Sequence, residues 1–222
     1  MISAVFFDLD ETLIVRSGAI RAFITDQYRR FEQDLGGLDE PTYVEGFLTM
    51  EDNGRIPKDQ LYPVFVARLG ITRVEPGVLL EDYRSNYPRY AVMNPGARDT
   101  IVNLRQQGVR TGIVTNGNDR VQNAKIDSIG IRDLMDTIVI SEDVGLRKPE
   151  VAIFEVATVN VGVEAGESLF VGDNPEVDIV GAANAGLQTA WFRNGMDWPH
   201  GLLPRADTDI DHLPEILGYP HK

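Results

Sequence analysis

Ala4-Val5-Phe6-Phe7-Asp8-Leu9-Asp10-Glu11-Thr12-Leu13 is an apolar run that stops abruptly in acid. Residues 2–7 are short, β-branched and aromatic, which predicts a buried strand. Asp8 and Asp10 follow at alternate positions, and on an extended chain residues two apart point the same way. Two carboxylates therefore project together from the end of a buried strand. Their repulsion in a partly dry site calls for a cation between them, which suits a divalent metal and acid/base chemistry.

Outward from this stretch, the chain from Ala97 onward alternates strand and helix. Apolar strands are expected at 111–115, 137–141, 168–172 and 188–192, with helices at about 96–107, 119–129, 150–160 and 175–185. Asn94-Pro95 and Asn174-Pro175 place a capping residue before a proline at a helix start, and Gly108, Gly130 and Gly186 sit just past helix ends. Strand, helix, strand repeated in this way implies right-handed crossovers and a parallel sheet. The expected architecture is α/β: a Rossmann-like, doubly wound parallel sheet with helices on both faces.

The segment from about residue 16 to 92 has no convincing buried strand. Ile20, Phe23, Ile24, Tyr28, Phe31 and Leu35 recur at helical spacing, and 41–50, 58–69 and 76–87 also read as helices. Breaks fall at Gly36-Gly37, Asn53-Gly54 and Gly70. The expected plan is a sheet-bearing core of 1–15 and 94–222, with an α-helical domain of 16–93 inserted after the first strand.

Composition narrows the function. The 222-residue chain carries a net charge of −13 and no Lys/Arg block, which excludes a long nucleic acid as partner while leaving room for a small phosphorylated metabolite. The absence of cysteine removes disulfides, thiolate catalysis and cysteine-ligated metals. No stretch reaches the ~18–20 apolar residues of a membrane span, and the N-terminus lacks signal-peptide features, so no membrane partner and a cytoplasmic location are expected. His200, His212 and His221 match no metal spacing and read as surface residues.

In open α/β sheets, ligands bind beyond the carboxyl ends of the strands. Each expected strand ends there in a polar cluster: Asp8 and Asp10, Thr115-Asn116-Gly117, Arg147-Lys148-Pro149 after a short loop, and Gly172-Asp173-Asn174-Pro175-Glu176-Val177-Asp178. Thr115 offers a hydroxyl, and the Asn116-Gly117 turn can aim backbone N–H groups at a phosphate oxygen. Gly117 permits a close backbone approach. Lys148 can reach toward a dianion. Asp173 is a hard oxygen ligand suited to Mg²⁺. Asp178 can reach that metal through water or orient Lys148.

With these residues in this order, the chain resembles the haloacid dehalogenase (HAD) superfamily of phosphohydrolases. The four motifs are Asp8-Leu9-Asp10-Glu11-Thr12, Thr115, Lys148, and Gly172-Asp173 with Asp178. The helical insert looks like the cap of the C1-capped class. Residues 138–149 and 178–189 look most like the branch holding pyrimidine nucleotidases and sugar-phosphate phosphatases.

The resemblance implies that Asp8 attacks phosphorus to form an aspartyl-phosphate, and that Asp10 protonates the leaving oxygen and then deprotonates water. It implies Mg²⁺ held by Asp8, the backbone carbonyl of Asp10, and Asp173, with Thr115 and Lys148 spreading the phosphoryl charge and Thr12 fixing the loop. A dehalogenase on the same fold lacks the second aspartate, a phosphomutase shares all four motifs, and a receiver-like signalling module is about half this length with no insert. Substrate choice is expected in the insert, at Glu51-Asp52-Asn53-Gly54-Arg55-Ile56-Pro57-Lys58, where Asn53 and Arg55 could reach a base or a sugar hydroxyl.

Overall fold

The computed structural model describes residues 1–220 apart from Arg55, and the side chain of Asn53 also lies outside the described part. Six strands form one fully parallel sheet: β1 (Ala4–Phe7), β2 (Arg110–Thr115), β3 (Thr137–Ile140), β4 (Ser168–Gly172), β5 (Gln188–Phe192) and β6 (Thr208–Ile210). Their order is β3-β2-β1-β4-β5-β6, so the winding reverses between β1 and β4. That reversal opens the crevice in which doubly wound sheets hold their ligands. Phe7 pairs with Ile113 on one side and Val171 on the other, and the Asp8 amide donates to the Val171 carbonyl at 2.9 Å. Asp8 is thereby delivered to the crevice mouth.

The chain divides into two compact units, Met1–Val15 with Val92–Lys222, and Arg16–Ala91. In the first, Ala4 and Phe6 of β1 pack with Val114, Phe170 and the apolar side of the helix Val151–Val161, namely Ile153, Phe154 and Ala157. The helices of this unit are α5 (Ala97–Gln106), α6 (Asp119–Ser128), α7 (Ser141–Val144), α8 (Val151–Val161) and α9 (Gly181–Asn184); the insert carries α1 (Arg16–Phe31), α2 (Glu40–Glu51), α3 (Lys58–Arg68) and α4 (Pro76–Asn86). Val92 and Met93 belong with the sheet because Val15 donates to the Val92 carbonyl at 2.9 Å and Ile14 bridges to Met93. No helix among the described residues is long and apolar enough to cross a membrane.

The inserted unit is organised around one buried amide. Gln27 of α1 accepts from the hydroxyls of Tyr43 on α2 and Tyr62 on α3, each at 2.9 Å. Its Nε2 donates to the Leu79 carbonyl and the Asp82 carboxylate of α4, also at 2.9 Å. A buried amide is tolerable only when its donors and acceptor are matched, and here the matching ties four helices together. Phe23, Phe47 and Phe65 fill the space around it, fully buried.

Three local expectations change. Asn94 does not cap α5; Gly96, at φ 78°, takes the N-cap position. The Asn94 side chain instead donates to the Thr12 carbonyl at 2.6 Å, a tertiary use that the Asn-Pro signal does not distinguish from a cap. The helix expected at 175–185 begins as a π-helical segment, Pro175–Val180, before α9. Asp178 and Ile179 both donate to the Asn174 carbonyl, which widens that turn. The Asn174 side chain does cap it, accepting from Glu176 and Val177. Strand β6 was not expected: Thr-Asp-Ile is short, and only Ile210 of the three is buried.

Candidate active site

Asp8, Lys148 and Asp178 meet beyond the ends of β1 and β4. Lys148 Nζ lies 2.6 Å from Asp8 Oδ1 and 2.7 Å from Asp178 Oδ1, with the lysine and Asp178 side chains each 2% exposed. The ammonium also sits 5.3 Å from the Phe170 ring centroid. Asp178 returns to the strand end because its Oδ2 accepts from the Asn174 amide at 3.0 Å. Gly172 makes that return possible, since a Cβ there would lie 2.5 Å from the Asp178 Cβ.

Asp173 completes the cluster. One carboxylate oxygen from each of Asp8, Asp173 and Asp178 lies within 4.8 Å of the others. The Asp173 backbone carbonyl accepts from the Trp191 indole N–H at 2.8 Å, and its Oδ1 accepts from the Thr12 hydroxyl at 3.4 Å. Burial pushes Asp8 up to about 7, against the pull of Lys148 and with the push of Asp178 and Asp10. Burial, followed by Asp178 and Asp8, pushes Asp173 up to about 9. Burial would depress Lys148, but Asp178 and Asp8 outweigh it and hold the ammonium above its usual range. Hard oxygen donors short of positive charge fit a small divalent cation such as Mg²⁺.

The loop after β2 is fixed by side-chain contacts that the sequence did not pair. The side chain of Asn116, whose backbone N–H is the group expected at the phosphate, has both polar atoms on the backbone of Lys148: Nδ2 donates to its carbonyl and Oδ1 accepts from its amide, each at 2.9 Å. It fixes the chain that carries the lysine. The Gly117 N–H donates to Ser141 Oγ at 3.0 Å instead of pointing at an anion site. Gly117 is small for a neighbour's sake, because a Cβ there would lie 2.9 Å from Gln122 Cγ. Thr115 is buried at the expected place, and its Oγ accepts from Gln122 Nε2 at 2.8 Å.

Asp10 has partners that sequence reading missed. Lys125 Nζ reaches its two oxygens at 2.8 and 2.9 Å, and Gln122 Nε2 reaches Oδ2 at 3.0 Å. The only available signal was the i, i+3 spacing of Gln122 and Lys125 on one helix face. Asn194 was missed as well; its side chain donates to the Glu11 carbonyl at 2.6 Å, pinning the first loop from the far end of the chain. Of the specificity candidates, Arg55 lies outside the described residues. Asn53 falls in the short 3-10 turn Asp52–Gly54 of the insert, with its side chain also outside them. His200 and His212 are exposed, and His221 lies outside the described residues.

A family model described as haloacid dehalogenase-like hydrolase matches residues 2–186. The chain belongs to this family. Among its HAD relatives, the pyrimidine 5′-nucleotidase YjjG of Escherichia coli is 34% identical, covering 98% of each chain. A glyceraldehyde 3-phosphate phosphatase of Pyrococcus abyssi is also 34% identical, covering 88% of this chain and 83% of that one. Among solved structures, the magnesium-bound YfnB of Bacillus subtilis, whose structure reveals interdomain movement, superposes with a TM-score of 0.76 at 25% identity, covering 98% of this chain and 97% of that one. The protein is a HAD-type hydrolase with phosphatase activity, built on a parallel sheet with an inserted helical cap and an aspartate cluster able to hold a divalent metal.

Proposed function

We propose that the protein is a Mg²⁺-dependent phosphomonoesterase acting on small phosphorylated metabolites through an aspartyl-phosphate on Asp8. The observation that carries this is the placement of Asp8: a buried carboxylate at a strand tip, 2.6 Å from a buried lysine and grouped with two further carboxylates. Asp8, Asp173 and the Asp10 carbonyl would hold the Mg²⁺, with Asp178 next to them. The metal would supply neutralising charge between these carboxylates and the incoming phosphate dianion. Asp8 attacks phosphorus as the P–O bond to the leaving group breaks. Asp10 gives its proton to the leaving oxygen, then takes one from the water that hydrolyses the acyl phosphate. Lys148 and the Thr115 hydroxyl stabilise the equatorial phosphoryl oxygens, and Asn116 keeps Lys148 in place. The carboxylate at Asp10 favours phosphate esters over the haloacid substrates of dehalogenases on the same fold.

The two relatives at 34% identity are named for different substrates, a pyrimidine nucleotide and glyceraldehyde 3-phosphate, so identity does not choose between them. We place nucleoside 5′-monophosphates first, pyrimidines ahead of purines, and sugar phosphates next. Discrimination is assigned to Asn53 and Arg55 of the insert. A screen of phosphomonoesters with free phosphate as readout tests the reaction and separates it from a phosphomutase, which releases none. Asn53→Ala and Arg55→Ala should change kcat/KM unequally among substrates, by roughly 1–3 kcal/mol each, while sparing acetyl phosphate. A uniform loss would move specificity elsewhere.

A further inference from the structure

Gln122 and Lys125 stand one turn apart on α6, and both are almost fully buried, at 2% and 3% exposure. Between them they place three donor contacts on one carboxylate, that of Asp10, whose own side chain is 23% exposed. Burying a lysine and a glutamine costs rotamer entropy and desolvation. A helix meant only to pack on the sheet would fill these positions with apolar side chains. Gln122 does a second thing with the same nitrogen: it donates to Thr115 Oγ at 2.8 Å. A hydroxyl that accepts there keeps its single proton for donation elsewhere. Gly117, at φ 153°, leaves out the Cβ that would collide with Gln122. Three residues separated along the chain are thus committed to one arrangement.

We propose that Gln122 and Lys125 are positioning residues, which together fix the plane of the Asp10 carboxylate and the donor direction of the Thr115 hydroxyl. The inference rests on the reading of Asp10 as the acid/base and Thr115 as a phosphoryl donor. A free carboxylate rotates about its Cβ–Cγ bond. One gripped at both oxygens by Lys125 and at Oδ2 by Gln122 presents one face to the leaving oxygen. Lys125 keeps its protons throughout. The transferred proton goes from the Asp10 carboxyl to the ester oxygen and is replaced from the hydrolytic water. α6 thereby couples the protonation step to the phosphoryl grip, through one glutamine that touches both groups.

The test compares Lys125→Met, Lys125→Arg, Gln122→Met and Asp10→Asn on p-nitrophenyl phosphate, whose leaving oxygen needs little protonation, and on glycerol phosphate, whose leaving oxygen needs much. Lys125→Met should lower kcat/KM on glycerol phosphate by about tenfold or more while changing kcat/KM on p-nitrophenyl phosphate by less than about threefold, because kcat/KM covers formation of the aspartyl-phosphate and leaves out its hydrolysis, which both substrates share. Lys125→Arg, which can still grip both oxygens, should recover most of the loss. Gln122→Met should show the same substrate asymmetry and also weaken inhibition by inorganic phosphate. It stands in should Lys125→Met fail to fold by circular dichroism. Equal losses on both substrates, or none, would overturn the proposal. If Asp10→Asn discriminates between the substrates and Lys125→Met does not, the positioning role alone fails. If Asp10→Asn does not discriminate, the acid/base reading fails and takes the proposal with it.

Discussion

Buried carboxylates occur in both units of this protein and are treated in opposite ways. In the insert, Glu51 is 3% exposed and faces two cations: both of its oxygens pair with the Arg16 guanidinium, and Lys58 Nζ lies 3.1 Å away. Burial would raise its pKa, but Arg16 and Lys58 outweigh burial and hold it below the usual range. At the sheet edge, Asp8, Asp173 and Asp178 crowd around one lysine, and Asp8 and Asp173 are pushed up. The first arrangement is complete within the protein. The second is short of positive charge, and such a deficit inside a folded domain persists only where an outside partner fills it. Structural acid and functional acid are therefore told apart by whether the protein balances the charge itself.

The harshest way to test this contrast is to remove the attacking charge. Asp8→Asn keeps the shape of the side chain and relieves like-charge crowding, so the fold should survive and its thermal midpoint should not fall. Turnover should drop by at least about a thousandfold. Retention of a tenth of wild-type kcat would sink the assignment of Asp8 as nucleophile.

Glu51→Ala should do the reverse. It removes the carboxylate that Arg16 and Lys58 share, and breaking a buried ion pair in this way costs about 3–5 kcal/mol. Both tryptophans, Trp191 and Trp198, lie in the sheet unit, so their fluorescence follows that unit while far-UV circular dichroism also follows the helices of the insert. The expected result is a lowered dichroism transition with a smaller change in the tryptophan-detected one. Equal shifts in both signals, or none, would erase the contrast on the insert side.

How much of this was legible beforehand depended on whether a residue's partner was near in sequence. Asp8 announced itself because an apolar strand ran into it, and Gly172 with Asp178 were readable as a strand end followed by a helix start. The insert was legible from the helical recurrence of Ile20, Phe23, Ile24 and Tyr28. Gln122 and Lys125 were invisible because a polar helix residue looks the same whether it faces water or Asp10, more than 110 positions away. Asn94 was recognised as special, but for the wrong neighbour, and Gly117 has a second neighbour that the sequence did not offer: the contacts with Thr12 and Gln122 exist only after folding. Strand β6 was hidden because sheet-edge pairing, not burial, holds most of it.

The charge deficit also predicts an unusual pH dependence. Asp8 at about 7 and Asp173 at about 9 both titrate above their unfolded value of 3.8. The folded state thus holds protons that the unfolded chain has already lost. Their contribution to stability is complete below about pH 4 and drains away as pH rises through 7 and 9. Glu51, Asp136 and Asp211 are shifted down, so their contributions are already complete above their usual values and stay flat in that window. In excess chelator, the tryptophan-detected midpoint should fall between pH 5 and pH 8.5 by several degrees, at about 2–4 °C per kcal/mol for a domain of this size. Saturating Mg²⁺ should flatten the slope. A midpoint that rises with pH in chelator would mean that the cluster is not short of charge.

The smallest expected effect lies at the edge of the cluster, where the protein supplies a dipole instead of a charge. Trp191 is fully buried and its N–H donates to the backbone carbonyl of Asp173, holding the turn that carries this carboxylate. Trp198 meets it edge to face at 5.1 Å between ring centroids, so the indole has little freedom to tilt away from that carbonyl. Trp191→Phe keeps most of the packing and removes the donor, leaving the half-buried Asp173 carbonyl with one partner fewer. The cost should be about 1 kcal/mol, roughly a fivefold weakening. It should appear as a higher Mg²⁺ concentration for half-maximal activity, with kcat at saturating metal nearly unchanged, because the carboxylates themselves remain. A change in kcat at saturating Mg²⁺ with no change in metal requirement would mean that Trp191 acts on the reacting groups and not on the turn that presents Asp173.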